Sequence, residues 1–222
     1  FIKYKDYKNL NFSNYSYLGS SFNNREILKI LKTYKNKIKF FKQKDIFSKT
    51  ASLISEGKII GWFQGSAEFG PRALGNRSIL CKPFPGIMRD YINKKVKFRE
   101  EFRPFAPAVL EEHQKDYFEI NQKSPYMLIA CKIKKKLKKN VQAIVHVDDT
   151  CRVQTVNEKY NKRFYSLIKK FNEKTGIPVL LNTSFNIKGQ PIVNSPDDAV
   201  ECFLKYKIDR LVLNDFIIEK KN

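Results

Sequence analysis

The sequence predicts a single α/β or α+β domain, and three observations carry that prediction. Segments with strand-like patterning alternate with segments of helical period, the order expected of one layered domain. The 222 residues are 42% apolar and 14% aromatic, enough to bury a core and too apolar for wholesale disorder. The length suits one domain, or one domain with a tail.

The elements follow in chain order. Residues 1–23 are rich in Tyr, Asn, Lys and Ser and show little periodicity. They read as a linker or the tail of a preceding domain, leaving 24–222 as the folded unit. Ile27, Leu28, Ile30, Leu31 and Tyr34 have helical spacing, so a helix is expected over 24–35. A second runs from an Asp45 cap to Glu56, with Gly57 as its stop. Residues 58–63 (KIIGWF) form a short apolar run and hence a buried strand. Residues 64–77 are a Gly- and Pro-punctuated loop, 78–82 a strand and 85–95 a helix. Residues 104–110 read as a strand, followed by a short helix ending near Phe118, and 126–133 as another strand. Residues 151–156 (CRVQTV) alternate as one strand. Residues 162–174 are an amphipathic helix stopped by Gly176, and 178–181 a buried strand. Ser195 caps a helix with Pro196 at its first position and Asp198 at its third, running to Lys205. Residues 210–213 are the last strand.

Composition excludes several function classes. No run of about 18 apolar residues occurs, so no transmembrane helix is expected. Phe1 is followed by no cleavable secretory pattern, and the absent initiator Met suggests a piece of a longer protein or a trimmed chain. Cys81, Cys131, Cys151 and Cys202 contain no C-x-x-C, which disfavours structural zinc and a disulfide framework. Free thiols in a reducing cytosol are expected. With His113 and His146 alone, a His-rich metal site is not expected.

The chain carries 43 basic and 22 acidic residues, a formal charge of +21. A nucleic-acid or polyphosphate partner would account for that. So would an A/T-biased genome, because Lys, Asn, Ile, Phe and Tyr are abundant together; runs such as 132–139 are then a solvated loop. Arginine is more informative. Only nine basic residues are Arg, and five of them (72, 77, 89, 99 and 103) fall within 32 residues. Arg presents a planar fork that grips phosphate or carboxylate at two oxygens.

Three segments concentrate chemistry. Glu68 to Ser78 (EFGPRALGNRS) follows a buried strand, and its glycines and arginines suit close approach to an anion. The G-x-x-x-x-G spacings 65–70 and 70–75 lack a following Lys-Ser/Thr, so no P-loop is supported; a tight turn with exposed arginines is the alternative. Residues 97–105 (KFREEFRPF) place Lys97, Arg99, Glu101 and Arg103 on one face of an extended strand, with Phe on the other. That is either an anion cradle or an ordinary amphipathic strand with ion pairs. Asn182 to Asn186 (NTSFN) lie past a strand's carboxyl end, where α/β sheets bind ligands, or else simply cap that strand. Arg152, opening an apolar strand, needs a partner if buried, whether a core ion pair or a ligand.

These segments carry a resemblance. EFGPRALGNRSIL, INKKVKFREEFRPFAPAVLEE, VHVDDTCRVQTV and VLLNTSFNIKGQPIVNSPDDAV, collinear across about residues 17–217, resemble the C-terminal domain of the O-carbamoyltransferases of the nodulation-protein-U and antibiotic carbamoyltransferase type. The resemblance implies a YrdC-like fold, a twisted mixed β-sheet with flanking helices. It implies that this domain converts carbamoyl phosphate and ATP, with substrate-bound Mg2+, to carbamoyl adenylate, releasing phosphate and pyrophosphate. A preceding actin-like N-terminal domain, where iron or another metal resides in the family, would transfer the carbamoyl group to an acceptor hydroxyl. Carried over by motif, Arg72, Lys97, Arg103, Arg152, Asn182 and Ser184 match the family's carbamoyl-phosphate and nucleotide contacts, with Lys97, Arg103 and Arg152 as catalytic candidates. Arg99 and Asn186 follow from the wider superfamily's K-x-R and S-x-N pairs. Arg77 and Glu68 are expected nearby. No metal ligand is expected within this chain. Asp149 stands where the family pattern has Gly, and would tighten that turn or oppose an anion.

The expected protein is cytoplasmic, without a membrane partner, and compatible with a homodimer. The rival reading is a YrdC-like RNA- or nucleic-acid-binding module, which the motif placement disfavours. RNA binding should depend on scattered lysines and weaken steeply with salt. Catalysis should depend on Arg72, Lys97 and Arg152.

Overall fold

The computed structural model describes residues 16–101 and 103–221. Its elements run α1 (Asn24–Thr33), β1 (Ile38–Lys42), α2 (Ile46–Ser55), β2 (Ile60–Phe63), β3 (Arg77–Cys81), α3 (Ile87–Ile92), β4 (Ala106–Leu110), α4 (Gln114–Tyr117), β5 (Ala130–Lys132), β6 (Thr150–Arg152), β7 (Gln154–Val156), α5 (Lys162–Thr175), β8 (Val179–Ser184), α6 (Pro196–Lys205), β9 (Arg210–Leu213) and β10 (Phe216–Lys220). Helix ends sit where side chains can satisfy free backbone N–H groups. Asn23 and Glu26 form a capping box on α1, and Ser195 and Asp198 another on α6 behind Pro196. Asp45 caps α2, and Asn161 caps α5, which Gly176 ends in the left-handed conformation.

Eight strands form one mixed sheet in the order β1-β10-β9-β2-β3-β8-β4-β7. The β9–β2 and β4–β7 pairs are parallel and the rest antiparallel. The strands β2, β3 and β4 are buried throughout; β2 and β4 read as continuous apolar runs, while β3 opens on buried Arg77 and Ser78. α2 and α5 pack together as a pair, while α6 packs with α1 and against β2 and β9. Trp62, Phe164, Phe171, Phe185 and Phe203 fill the core. The architecture is the expected mixed α/β sheet with flanking helices. The four cysteines are buried free thiols. Among the described residues no helix is long and apolar enough to cross a membrane.

Several expectations need correction. Residues 97–103 are not a strand. α3 continues as a π-turn over Asn93–Lys97, Phe98 takes a left-handed conformation at φ 49°, and the chain reverses before β4. Charged and aromatic residues therefore do not alternate across a pleat there. Phe102 lies outside the described residues. The segment 151–156 is two strands: β6 pairs with β5 in a separate two-stranded ribbon, and β7 joins the main sheet. The strand expected at 126–133 shrinks to β5, preceded by Met127 at φ 57°. Within the expected loop at 132–139, 3-10 helix begins at Lys135 and reaches Ile144, broken by a kink at Val141 (φ −140°, ψ 30°). Strands β1 and β10 have no counterpart in the sequence prediction. β1 is an edge strand in which only Ile38 is buried, so its lysines mask the pattern. Residues 16–23, within the expected linker, run along the body: Ser16, Gly19 and Ser20 bond backbone-to-backbone with Phe69 and Ala67. Residues 1–15 of that expectation lie outside the described residues.

Register fixes where a site can form. Asn182 pairs with Ala106 and Ser184 with Ser78, so the carboxyl end of β8 meets the amino ends of β3 and β4. Gly75, just before β3, has φ 103°, and a Cβ there would lie 2.1 Å from the Phe164 ring of α5. Gly75→Ala is expected to destabilise the fold by about 2–4 kcal/mol, through a forbidden backbone conformation and overpacking. Denaturant unfolding of the two chains measures it; a difference under about 0.5 kcal/mol would refute this packing account.

Candidate functional site

The loop between β2 and β3 is built around one carboxylate. Glu68 Oε1 accepts the backbone N–H groups of Leu74 (2.7 Å), Asn76 (2.8 Å) and Arg77 (3.2 Å). Arg77 is buried beneath this loop. It donates to the carbonyls of Gln64, Gly65, Asn76 and Ser20, and its guanidinium lies 3.5 Å from the Phe63 ring centroid. Burial pushes Arg77 down to about 10, with Glu68 opposing that shift. Glu68 and Arg77 thus form the framework of the loop, and neither lines the pocket that it borders.

A second turn is organised by Asn93, which is buried. Its Nδ2 donates to the carbonyls of Glu101 and Arg103, and its Oδ1 accepts from Arg99 Nε at 2.7 Å. Arg99 also stacks on Phe105, 4.6 Å from the ring centroid. At the end of β8, Lys97 Nζ lies within 2.8–3.2 Å of four oxygens, the carbonyls of Ser184 and Asn186, Ser184 Oγ and Asn186 Oδ1. The K-x-R and S-x-N pairs therefore meet.

These segments enclose a pocket of about 110 Å³ lined by Arg72, Arg99, Phe105, Met127, Arg152 and Asn182, with Ser184 at its edge. Arg72, Arg99 and Arg152 form no ion pair with a carboxylate among the described residues. Burial lowers Arg152, and repulsion from Arg72 adds to it. Arg99 is pushed down to about 10 by burial and then by Arg103. Arg72 Nε is buried without a partner among the described residues. Cations held together without counter-charge raise the free energy of the unliganded site, and an entering anion recovers it. A larger recess of about 270 Å³, between Tyr17, Tyr126 and Tyr160, contains no arginine.

The sequence-predicted residues thus divide. Arg72, Arg99, Arg152, Asn182 and Ser184 line one pocket. Lys97 and Asn186 stand behind it, bound to Ser184. Arg103 is half exposed and pairs with Glu100 at 2.8 Å. Asp149 sits at φ 65°, the conformation for which glycine is favoured, and its carboxylate pairs with Lys138 rather than facing the pocket. Neighbouring Asp148 is held well below the usual carboxylate range by the Thr150 hydroxyl, His146 and the Thr150 amide. The sequence reading did not single out Asn93 or Gln154. Gln154 is buried and bonds Asn182, and a polar residue inside the apolar run VQTV was the available signal.

Comparisons with known proteins show the family and the fold. A family model described as carbamoyltransferase C-terminus matches residues 51–220. Nodulation protein NolNO of Sinorhizobium fredii is 46% identical over 180 residues, covering 80% of this chain and 26% of that protein. The 3'-hydroxymethylcephem-O-carbamoyltransferase of Amycolatopsis lactamdurans is 36% identical over 162 residues, covering 73% of this chain and 31% of that enzyme. Full-length HypF, solved in a phosphate- and nucleotide-bound form, is similar in structure with a TM-score of 0.57 and 19% identity, over 80% of this chain and 22% of HypF. That likeness is one of fold, the YrdC-like fold that the motifs implied. The chain spans well under half the length of the curated relatives it matches.

Burial, with Arg99 adding repulsion, pushes the Lys97 ammonium down to about 7 from its ordinary value of 10.5. The unfolded chain then binds this proton more tightly than the folded chain between those values. Lys97 accordingly favours folding increasingly as pH rises through that window. In unfolding titrations the native chain is expected to gain on Lys97→Met from pH 7 to 10 by up to about 1.4 kcal/mol per pH unit. A pH-independent difference would mean that Lys97 keeps an ordinary ammonium.

Proposed function

The chain belongs to the carbamoyltransferase C-terminal family, and from that premise we propose that it binds carbamoyl phosphate and ATP and forms carbamoyl adenylate. A further domain of the whole protein would pass the carbamoyl group to an acceptor hydroxyl. The observation that carries this reading is the pocket lined by Arg72, Arg99 and Arg152 without a carboxylate partner among the described residues.

The two substrates bring about five to six negative charges together, and a unit pair at 4 Å is worth about 4 kcal/mol at an effective dielectric near 20, before desolvation. Fixed guanidiniums supply that compensation without having to reorganise. The pocket's 110 Å³ is well below the roughly 300–1,000 Å³ that encloses a drug-sized ligand. It therefore suits the small acyl phosphate, with the nucleotide lying along the open mouth.

In the proposed reaction, water releases phosphate from carbamoyl phosphate. A carbamate oxygen then bonds to the α-phosphorus of ATP as the bond to pyrophosphate breaks. Arg72, Arg99 and Arg152 hold the phosphoryl oxygens. Lys97 fixes Ser184 and Asn186 at the pocket's edge, and Arg103 stands outside, available to a nucleotide at the mouth. Among the described residues no group of three or more His, Cys, Asp or Glu is placed to hold a metal ion. In this reading Mg2+ arrives with ATP, held by its phosphates and water. No His or Cys nucleophile is required, because positioning and charge stabilisation do the chemistry.

The test is carbamoyl-phosphate-dependent exchange of labelled pyrophosphate into ATP. Arg152→Ala is expected to lower exchange by about 10²–10³-fold, while Lys134→Ala leaves it intact. Equal loss in both variants, or a folded chain that binds neither substrate, would overturn the proposal. The first outcome would favour a diffuse lysine-dependent polyanion surface.

A further inference from the structure

We propose that Gln154 and Asn182 form an amide relay that selects the carbamoyl group by its N–H bonds, resting on the function proposed above. The orientation of both side chains is set by the main chain of the site loop. The Leu74 carbonyl accepts Gln154 Nε2 at 2.8 Å, which turns Gln154 Oε1 toward Asn182. Asn182 Nδ2 donates to that Oε1 at 2.8 Å and to the Ala73 carbonyl at 3.1 Å. Backbone carbonyls only accept, so rotating either amide by half a turn would set oxygen against oxygen. Both hydrogens of Asn182 Nδ2 are used.

What remains is Asn182 Oδ1. It is buried and has no partner among the described residues, and Asn182 lines the arginine pocket. A buried acceptor without a donor costs free energy until something supplies one. The fully ionised phosphoryl group of an acyl phosphate cannot, because all its oxygens are acceptors; the three guanidiniums serve that end of the ligand. A carbamoyl –NH2 can donate to Oδ1. The methyl of an acetyl group has nearly the same size and cannot. Sites built to hydrogen-bond one group discriminate strongly against an analogue that lacks it, since their own polar atom is left unpaired. Gln154 acts here as a positioning residue, two bonds removed from the ligand.

The experiment compares affinities of the chain for carbamoyl phosphate, acetyl phosphate and inorganic phosphate by calorimetry. Carbamoyl phosphate is expected to bind at least about tenfold tighter than acetyl phosphate. In Gln154→Met the ratio should fall toward one while phosphate affinity changes by less than about twofold. Asn182→Leu should do the same, and circular dichroism checks the fold of each. Equal affinities in the native chain, or an unchanged ratio in both folded variants, would overturn the relay. If the variants do not fold, the ratio in the native chain decides alone. If none of the three anions binds the folded native chain, the anion-site reading fails and the relay falls with it.

Discussion

One carboxylate oxygen, Glu68 Oε1, gathers the amides of Leu74, Asn76 and Arg77, and the geometry of the loop that carries Arg72 hangs on that point. Three N–H groups converging on a negative charge give a turn its shape without regular secondary structure. The turn sends Arg72 into the pocket, offers the carbonyls of Ala73 and Leu74 to the amides beneath it, and starts β3 at Arg77. Phe164 then closes over Gly75 from the helical side, so the loop is held from both directions.

The arginines divide by environment. Arg77 spends both terminal nitrogens on carbonyls, Arg163 binds the Asn214 carbonyl and Asp215, and both act as internal braces. Arg72 and Arg152 are left facing one another, a repulsion that persists only because the surrounding fold holds both in place. The +21 formal charge therefore says less than placement does. Lysine supplies most of the surplus, and many of those lysines are on the surface. The guanidiniums that share a pocket come from the 70s loop, the 99 turn and the β6 ribbon.

Much of this was legible beforehand, for local reasons. Ser195 and Asp45 announce helix starts because their side chains compete for backbone N–H groups, and Gly176 announces a stop because its conformation is left-handed. The pocket residues were legible through the family motifs. What escaped depends on contacts distant in sequence. β1 is a strand because it pairs with β10 across the length of the chain, and β10 is held on its other side by β9. The run 151–156 looks continuous, yet its two halves enter different sheets. The 93–103 turn is set by buried Asn93, whose bonds no periodicity reveals. Arg77 is near the site, as expected, and is a brace there because Ser20 and Gln64 converge on it.

The stretch at Ser16–Ser20 does more than cover the body. Gly19 N–H donates to the Ala67 carbonyl at 3.0 Å, Ala67 N–H to Ser20 at 2.8 Å, and Phe69 N–H to Ser16 at 2.6 Å. Gly19 approaches so closely that a Cβ would come within 2.8 Å of the Ala67 side chain. This makes the strap a mechanical linkage. Three hydrogen bonds fix its position relative to the segment that holds Glu68, four residues before Arg72. The strap and the wall of the arginine pocket are thus parts of one hydrogen-bonded unit.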